Sequence, residues 1–377
     1  MIYLDYNAST PVDPAVREAM LPFLSDRFGN PSSVHVAGRP LREAVERARG
    51  QVADLLGASP QEIVFTASGT ESNNHVIKGV ADRFRDRGGH VITSAVEHPA
   101  VMNPCRYLAE RGFELTVVPV DGTGRVDPEA VGRAIRPDTI LVSVMLANNE
   151  VGTIEPIAEI ARVARDRGVW VHTDAAQACG KIQTRVDALC VDFLSLAGHK
   201  MYAPLGVGAL YIRKGIEIEP LLHGAGHEQG RRAGTEAVPA VVGLGKAAEL
   251  ARQRTDDHGR IRDLRDRLQG RLVEALGDRA VPLGHPVERL PNTLAIGFRG
   301  CIGAEVLARC PELCASTGAA CHAAVRKRSA VLEAMNVPEE IAFGAIRLSL
   351  GRFTMEHDIE TAAEQLIRAV KGLASGA

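Results

Sequence analysis

The sequence shows no strong charge of either sign, no long uncharged span and no internal period. Its 44 Lys and Arg residues against 46 Asp and Glu leave a formal net charge of −2. Nothing in that balance points to nucleic acid, a membrane surface or an acidic partner. No uncharged stretch approaches the length of a membrane helix, and no period of about twenty to fifty residues recurs, which sets aside a membrane span and a repeat architecture. The chain opens Met1-Ile2-Tyr3-Leu4-Asp5 without a basic-then-apolar stretch, so a cytoplasmic location is expected. Cys-x2-Cys pairs are missing as well. The seven cysteines, Cys105, Cys179, Cys190, Cys301, Cys310, Cys314 and Cys321, are an odd and scattered set, as expected for reduced thiols rather than a disulfide framework.

What is present is enough apolar residue, 45% of 377, for a large core and two or three domains. From Ile63 to Ile212 short apolar runs alternate with amphipathic segments. Strand and helix taking turns in this way predicts an α/β fold with a mostly parallel sheet covered on both faces. After Ile212 the composition changes to a Gly- and His-rich loop, a long charged amphipathic helix at Arg260 to Leu276, and strands at Asn292–Phe298 and Ala345–Leu350. The expected division is a large domain over 15–255 and a smaller α+β domain from 1–14 with 256–377.

Ligands of such sheets sit beyond the carboxyl ends of the strands, where polar residues collect here. Gly69-Thr70 follow the first predicted strand, Glu97-His98 the second, Asn148-Asn149-Glu150 the fourth, Asp174 and Gln177 the fifth, and His199-Lys200 the sixth. An acid and a lysine at the ends of neighbouring strands suit pyridoxal phosphate, whose ring nitrogen needs a carboxylate beside it and whose aldehyde needs an amine. Taken singly, Asp174 and Lys200 read equally well as surface residues. Ser68-Gly69-Thr70-Glu71 suits a phosphate at a helix start, and it is equally a capping box. His98 suits ring stacking and proton transfer, or a structural bond at the start of the next helix. Cys321 and His322, in a small-residue run near Arg326-Lys327-Arg328, suit a reactive thiolate. A metal site built on Cys310, Cys314, Cys321 and His322 is the disfavoured alternative, because the spacing matches no Cys-x2-Cys pair.

Together the motifs resemble a known family. Tyr3-Leu4-Asp5-Tyr6-Asn7-Ala8, Gly29-Asn30-Pro31-Ser32-Ser33-Val34-His35, Ser68-Gly69-Thr70-Glu71-Ser72-Asn73, Glu97-His98, Asn148-Asn149-Glu150-Val151-Gly152, His172-Thr173-Asp174-Ala175-Ala176-Gln177, Gly198-His199-Lys200, Arg232-Ala233-Gly234-Thr235 and Ile346-Arg347-Leu348-Ser349-Leu350-Gly351-Arg352 look like the NifS/IscS-like cysteine desulfurases. These are fold-type I pyridoxal phosphate enzymes. The resemblance runs nearly end to end. It implies a seven-stranded, mostly parallel sheet, a homodimer, and conversion of L-cysteine to L-alanine with sulfur left on an enzyme cysteine for an acceptor protein. It assigns Lys200 to the cofactor aldehyde and the Cα proton, Asp174 to the ring nitrogen, His98 to stacking and acid–base work, and Gln177 to the ring 3′-oxygen. Gly69, Thr70 and His199 would hold the phosphate, with Thr235 reaching in from the partner subunit. Asn148, also expected at the cofactor, and Arg347 would hold the substrate carboxylate, and Cys321 would carry the persulfide. No metal is implied.

Two positions depart from the family pattern. Ala197 stands where a serine commonly contributes a phosphate ligand, and Gly318-Ala319-Ala320-Cys321-His322 replaces a loop that commonly reads Ser-Ala-Cys followed by Ser or Thr. Histidine after the cysteine resembles selenocysteine lyases, which makes that activity the alternative within the fold. A scaffold that only docks sulfur-transfer partners is the alternative outside enzymology. The acceptor itself, in iron–sulfur assembly, tRNA thiolation or DNA modification, is not legible.

Overall fold

The structure, a computed structural model, describes residues 1–86, 89–254, 257–317 and 328–374. A two-residue strand, β1 (Ile2–Tyr3), opens the chain. The next seven build the main sheet: β2 (Ile63–Thr66), β3 (His90–Ser94), β4 (Glu114–Val118), β5 (Thr139–Ser143), β6 (Trp170–Asp174), β7 (Phe193–Ala197) and β8 (Gly208–Ile212). Their spatial order is β2-β8-β7-β6-β5-β3-β4. β8 runs antiparallel to both neighbours and every other pair is parallel, so the expected α/β architecture with a mostly parallel seven-stranded sheet is what forms.

Successive side chains of a strand point to opposite faces, and the core divides accordingly. Ile63, Phe65, Ile92, Val142 and Leu194 join one apolar cluster, while their neighbours Val64, Val91, Leu141 and Phe193 join another. Near-continuous apolar strands are needed for that double burial. Only edge strand β4 keeps Glu114 and Val117 exposed. Two buried histidines tie the sheet sideways. His90 on β3 bonds Thr139 on β5 (2.8 Å) and Thr116 on β4 (2.7 Å), and His172 on β6 bonds Ser143 on β5 (2.8 Å) and Ser195 on β7 (3.0 Å).

The remaining strands are β9 (Ala280–Leu283), β10 (Thr293–Phe298), β11 (Leu313–Cys314) and β12 (Ala345–Ser349). β12-β10-β9 form an antiparallel sheet, backed by the helices Asp257–Leu276 and Glu356–Ala374. Ile261, Leu264, Leu268 and Leu272 recur at helical spacing and pack with Ile359, Ala363, Leu366, Leu294, Ile296 and Leu4 in a core of their own. A further cluster, with Val96, Met145 and Val151 beside Leu283, Ala295, Leu332 and Met335, seals the two cores together.

Two elements of the second unit go beyond the strands that the sequence pattern predicts. The edge strand β9 was not anticipated, because Pro282 interrupts its pattern; an edge strand tolerates a residue that cannot donate to the ladder. Pro311 lies beyond the helix Gly303–Ala308, which has already ended. Leu313 instead begins β11, which pairs in parallel with β1 through Ile2 N–H to Glu312 C=O (2.7 Å) and Leu4 N–H to Cys314 C=O (2.8 Å). The first residues of the chain are thereby sewn into the second unit. No described helix is long and apolar enough to cross a membrane.

Candidate active site

Lys200 is delivered by β7. That strand ends at Ala197 and runs straight into one 3₁₀ turn, Gly198–Lys200. Gly198 suits this corner, since a Cβ there would lie 2.9 Å from the Val207 side chain and carbonyl. The Lys200 amine donates to the main-chain carbonyls of Asn7 (2.6 Å) and Ala8 (2.7 Å). Burial, and then the Arg347 guanidinium, push its pKa down to about 8 against the opposing pull of Asp5 and Asp174. An amine at that value is a usable base near neutral pH.

Asp174 ends β6, the strand beside β7. Its carboxylate is fixed at both oxygens: Oδ1 accepts from Ala176 N–H (2.9 Å) and Oδ2 from Asn73 Nδ2 (2.7 Å). Asp174 and Lys200 line one cavity of about 270 Å³. Asn73 borders the same cavity, one turn into the helix Gly69–Arg83, and sequence reasoning had given it no separate role.

The start of that helix forms the cavity wall at Ser68, Gly69 and Thr70, where first-turn amides have no intrahelical partner. The capping alternative is also real, because Ser68 Oγ accepts from Glu71 N–H (3.1 Å) and Glu71 Oε2 from Ala67 N–H (2.9 Å). Ser68, which caps the helix, thus also lines the cavity. The same is true of His98. It caps the helix Pro99–Ala109 by accepting Ala100 N–H at Nδ1 (3.1 Å), and it lines the cavity. Burial lowers its pKa, more than Asp174 raises it, and because Nδ1 accepts from Ala100 N–H, the ring proton sits on Nε2. His199 is lowered to about 4 by burial and by the ammonium groups of Lys200 and Lys181.

Gln177 and Arg347 complete the cavity lining among the expected residues. Arg347 lies on β12, in the antiparallel sheet, so the cavity is bounded by both units. Its Nη2 donates to Asp5 Oδ1 (2.7 Å) and its Nη1 to Asn149 C=O (3.0 Å), while its buried Nε is without a partner. Asn148 is placed differently from its expected role. Its amide is fully buried behind the wall, where Oδ1 accepts from Glu150 and Val151 N–H and Nδ2 donates to Val96 C=O. It shapes the turn after β5, and its neighbour Asn149 borders the cavity. Thr235 is exposed and does not line this chain's cavity. Cys321 and His322 lie outside the described residues.

This donor set fits pyridoxal phosphate. It has an amine with a loosened proton, a rigid carboxylate, a helix start facing the same space, and an unsatisfied guanidinium N–H at the far side. Each matches one functional group of the cofactor or of an amino acid substrate.

The class-V aminotransferase family model matches residues 2–361. A cysteine desulfurase IscS of Dictyoglomus turgidum is 47% identical over 376 residues, covering 99% of this chain and 95% of that protein. Among solved structures, a NifS-like protein superposes with a TM-score of 0.91 at 38% identity, covering 99% of each chain. SspA in complex with cysteine gives 0.82 at 37% identity, over 94% of this chain and 100% of that one. The chain belongs to the class-V aminotransferases and, within them, to the NifS/IscS-like cysteine desulfurases.

Proposed function

We propose that this chain holds pyridoxal 5′-phosphate on Lys200, removes sulfur from L-cysteine, releases L-alanine and retains the sulfur on Cys321 as a persulfide. The observation that carries this reading is that Lys200 and Asp174, from adjacent strand ends, line one cavity with a helix start. Bound there, the cofactor would supply an aldehyde for the substrate amine and a ring that withdraws electrons from Cα.

The protein's own groups would do the rest. Lys200, with its lowered pKa, would carry the Cα proton. Asp174, held by Asn73 and the Ala176 N–H, would keep a proton on the ring nitrogen. Neutral His98 would lie against the ring as an acid–base group, and Gln177 would donate Nε2–H to the ring 3′-oxygen. Gly69, Thr70 and His199 would bind the phosphate, joined in a homodimer by the partner subunit's Thr235. Arg347, with Nε still unpaired, would take the substrate carboxylate, with Asn149 rather than Asn148 beside it. The Cys321 thiolate would attack the substrate sulfur. The C–S bond then breaks with its electron pair left on carbon, which takes up a proton to become the methyl group, and an S–S bond forms. An acceptor protein would collect that sulfur. The separate cores on either side of residue 255 support the division into 15–255 and 1–14 with 256–377.

Purified protein supplied with pyridoxal phosphate should turn yellow, bleach with borohydride and form alanine from cysteine. Lys200→Ala should stay colourless, and Cys321→Ala should lose sulfide release. A wild-type protein that never takes up the colour would sink the reading. Selenium release from selenocysteine that survives Cys321→Ala, with negligible cysteine turnover, would move it to a lyase.

A further inference from the structure

We propose that Lys181 is a positioning residue that sets the polarity of the amides around the cavity, above all that of Gln177. The inference rests on the cofactor reading given above.

Lys181 follows Gln177 by four residues, and its Nζ donates to Gln177 Oε1 (2.7 Å) and to Asn7 Oδ1 (3.2 Å). Both acceptors are neutral amide oxygens. Burial, and then the charges of Lys200 and Arg347, hold the Lys181 pKa well below the usual lysine value; Nζ is nonetheless the donor in both bonds, and as a donor it favours the oxygen end of each amide it meets. Gln177 must turn Oε1 toward Lys181, which leaves Nε2 as the donor on its other side, where it meets the Asn7 main-chain carbonyl (2.9 Å). Asn7 must likewise turn Oδ1 inward, where Asn292 Nδ2 also reaches it (3.0 Å), and its Nδ2 outward to Asn149 C=O (3.2 Å) and Thr293 Oγ1 (2.9 Å). One side chain thus orients two amides, and through Asn7 it fixes the carbonyl that also holds Lys200.

Lys181 itself does not line the cavity described above, whereas Gln177 does. Its effect on the cofactor therefore passes through another residue. Without the Nζ donor, only the bond from Nε2 to the Asn7 carbonyl opposes rotation of Gln177, and a rotated amide would bring Oε1 to the place where the ring oxygen needs a donor, so that two acceptors would face each other.

The test is a double-mutant cycle on the dissociation constant of pyridoxal phosphate, measured by titrating cofactor-free protein. Lys181→Met and Gln177→Ala should each weaken binding about tenfold, the scale of one hydrogen bond to a charged or polar group. The double variant should bind no more than about twofold worse than the weaker single variant. Lys181→Arg, which still donates, should recover most of the loss. Lys181→Met that binds as wild type does, losses that multiply in the double variant, or Lys181→Arg no better than Lys181→Met would each overturn the proposal. If Lys181→Met does not fold, Lys181→Leu, which likewise has no donor, takes its place with the same expectation. Wild-type protein without affinity for the cofactor would overturn the cofactor reading and this inference together. Normal wild-type binding beside an unchanged Lys181→Met would overturn this inference alone.

Discussion

Asp5 and Arg347, 342 residues apart in sequence, meet in an ion pair of 2.7 Å at the edge of the cavity. The acid occupies one Nη2 proton of the guanidinium while the buried Nε stays without a partner, so the fork is held in place at the cavity edge with an N–H still to satisfy. Asp5→Asn keeps the shape and removes the charge. KM for cysteine should rise about tenfold with a smaller change in kcat, because a charge-assisted bond that orients substrate binding is weakened. Steady-state kinetics check this, and an unchanged KM would remove Asp5 from the site.

Asn73 anchors Asp174 from the helix wall (2.7 Å). Asn73→Ala leaves one oxygen of a buried carboxylate unsatisfied, which costs about 1–3 kcal/mol. Pyridoxal phosphate affinity of the cofactor-free protein should drop at least tenfold, as read from a binding titration.

Capture of the cofactor by cofactor-free protein requires a neutral Lys200 amine. Its pKa, lowered to about 8 by burial and then by Arg347, means that the capture rate should climb about tenfold per pH unit below 8 and level off above it. Stopped-flow absorbance reads the rate. A limb still rising steeply near pH 10 would contradict the value.

Glu97 supplies a pH effect on stability. Burial raises its pKa to about 8, against the bonds from Ser94 and Met145 that favour the charged form. The folded state therefore binds more protons than the unfolded state between about 4.5 and 8, and stability falls as pH rises through that window. Glu97→Gln retains the Oε1 acceptor without the charge. Its stability relative to wild type should improve by about 4 kcal/mol between pH 4.5 and pH 8.5, as followed by chemical denaturation.

Ala197 lines the cavity where relatives commonly offer a hydroxyl, and its Cβ would lie 3.3 Å from a Cβ built on Gly69 at the helix start. Ala197→Ser should tighten cofactor binding severalfold, about one neutral hydrogen bond. Weaker binding would indicate that the serine crowds the helix start.

Much of this site was legible because its charged members stand at strand ends. Asp174 and Lys200 each interrupt an apolar run, and the alternation of elements puts those ends on one rim. Spacing does not give side-chain direction in a turn, so of two consecutive asparagines the inward, structural Asn148 was taken for a ligand and Asn149 was passed over. Asn73 and Lys181 were invisible for a related reason. A polar residue one turn into a helix, or a lone lysine after it, reads as surface until its partner from another segment is known. The pairing of β1 with β11 likewise joins segments about 310 residues apart, and two-residue strands leave no period to detect.

Asn7 closes the cavity floor through partners on distant later segments, from Asn149, Gln177, Lys181 and Lys200 to Asn292, Thr293 and Ser349. A residue made among the first must thus wait for one made among the last. Assembly of the floor is a long-range event that local helix and strand formation cannot complete. On a ribosome, the nascent chain would display a nearly finished sheet while its catalytic chamber still lacked a bottom.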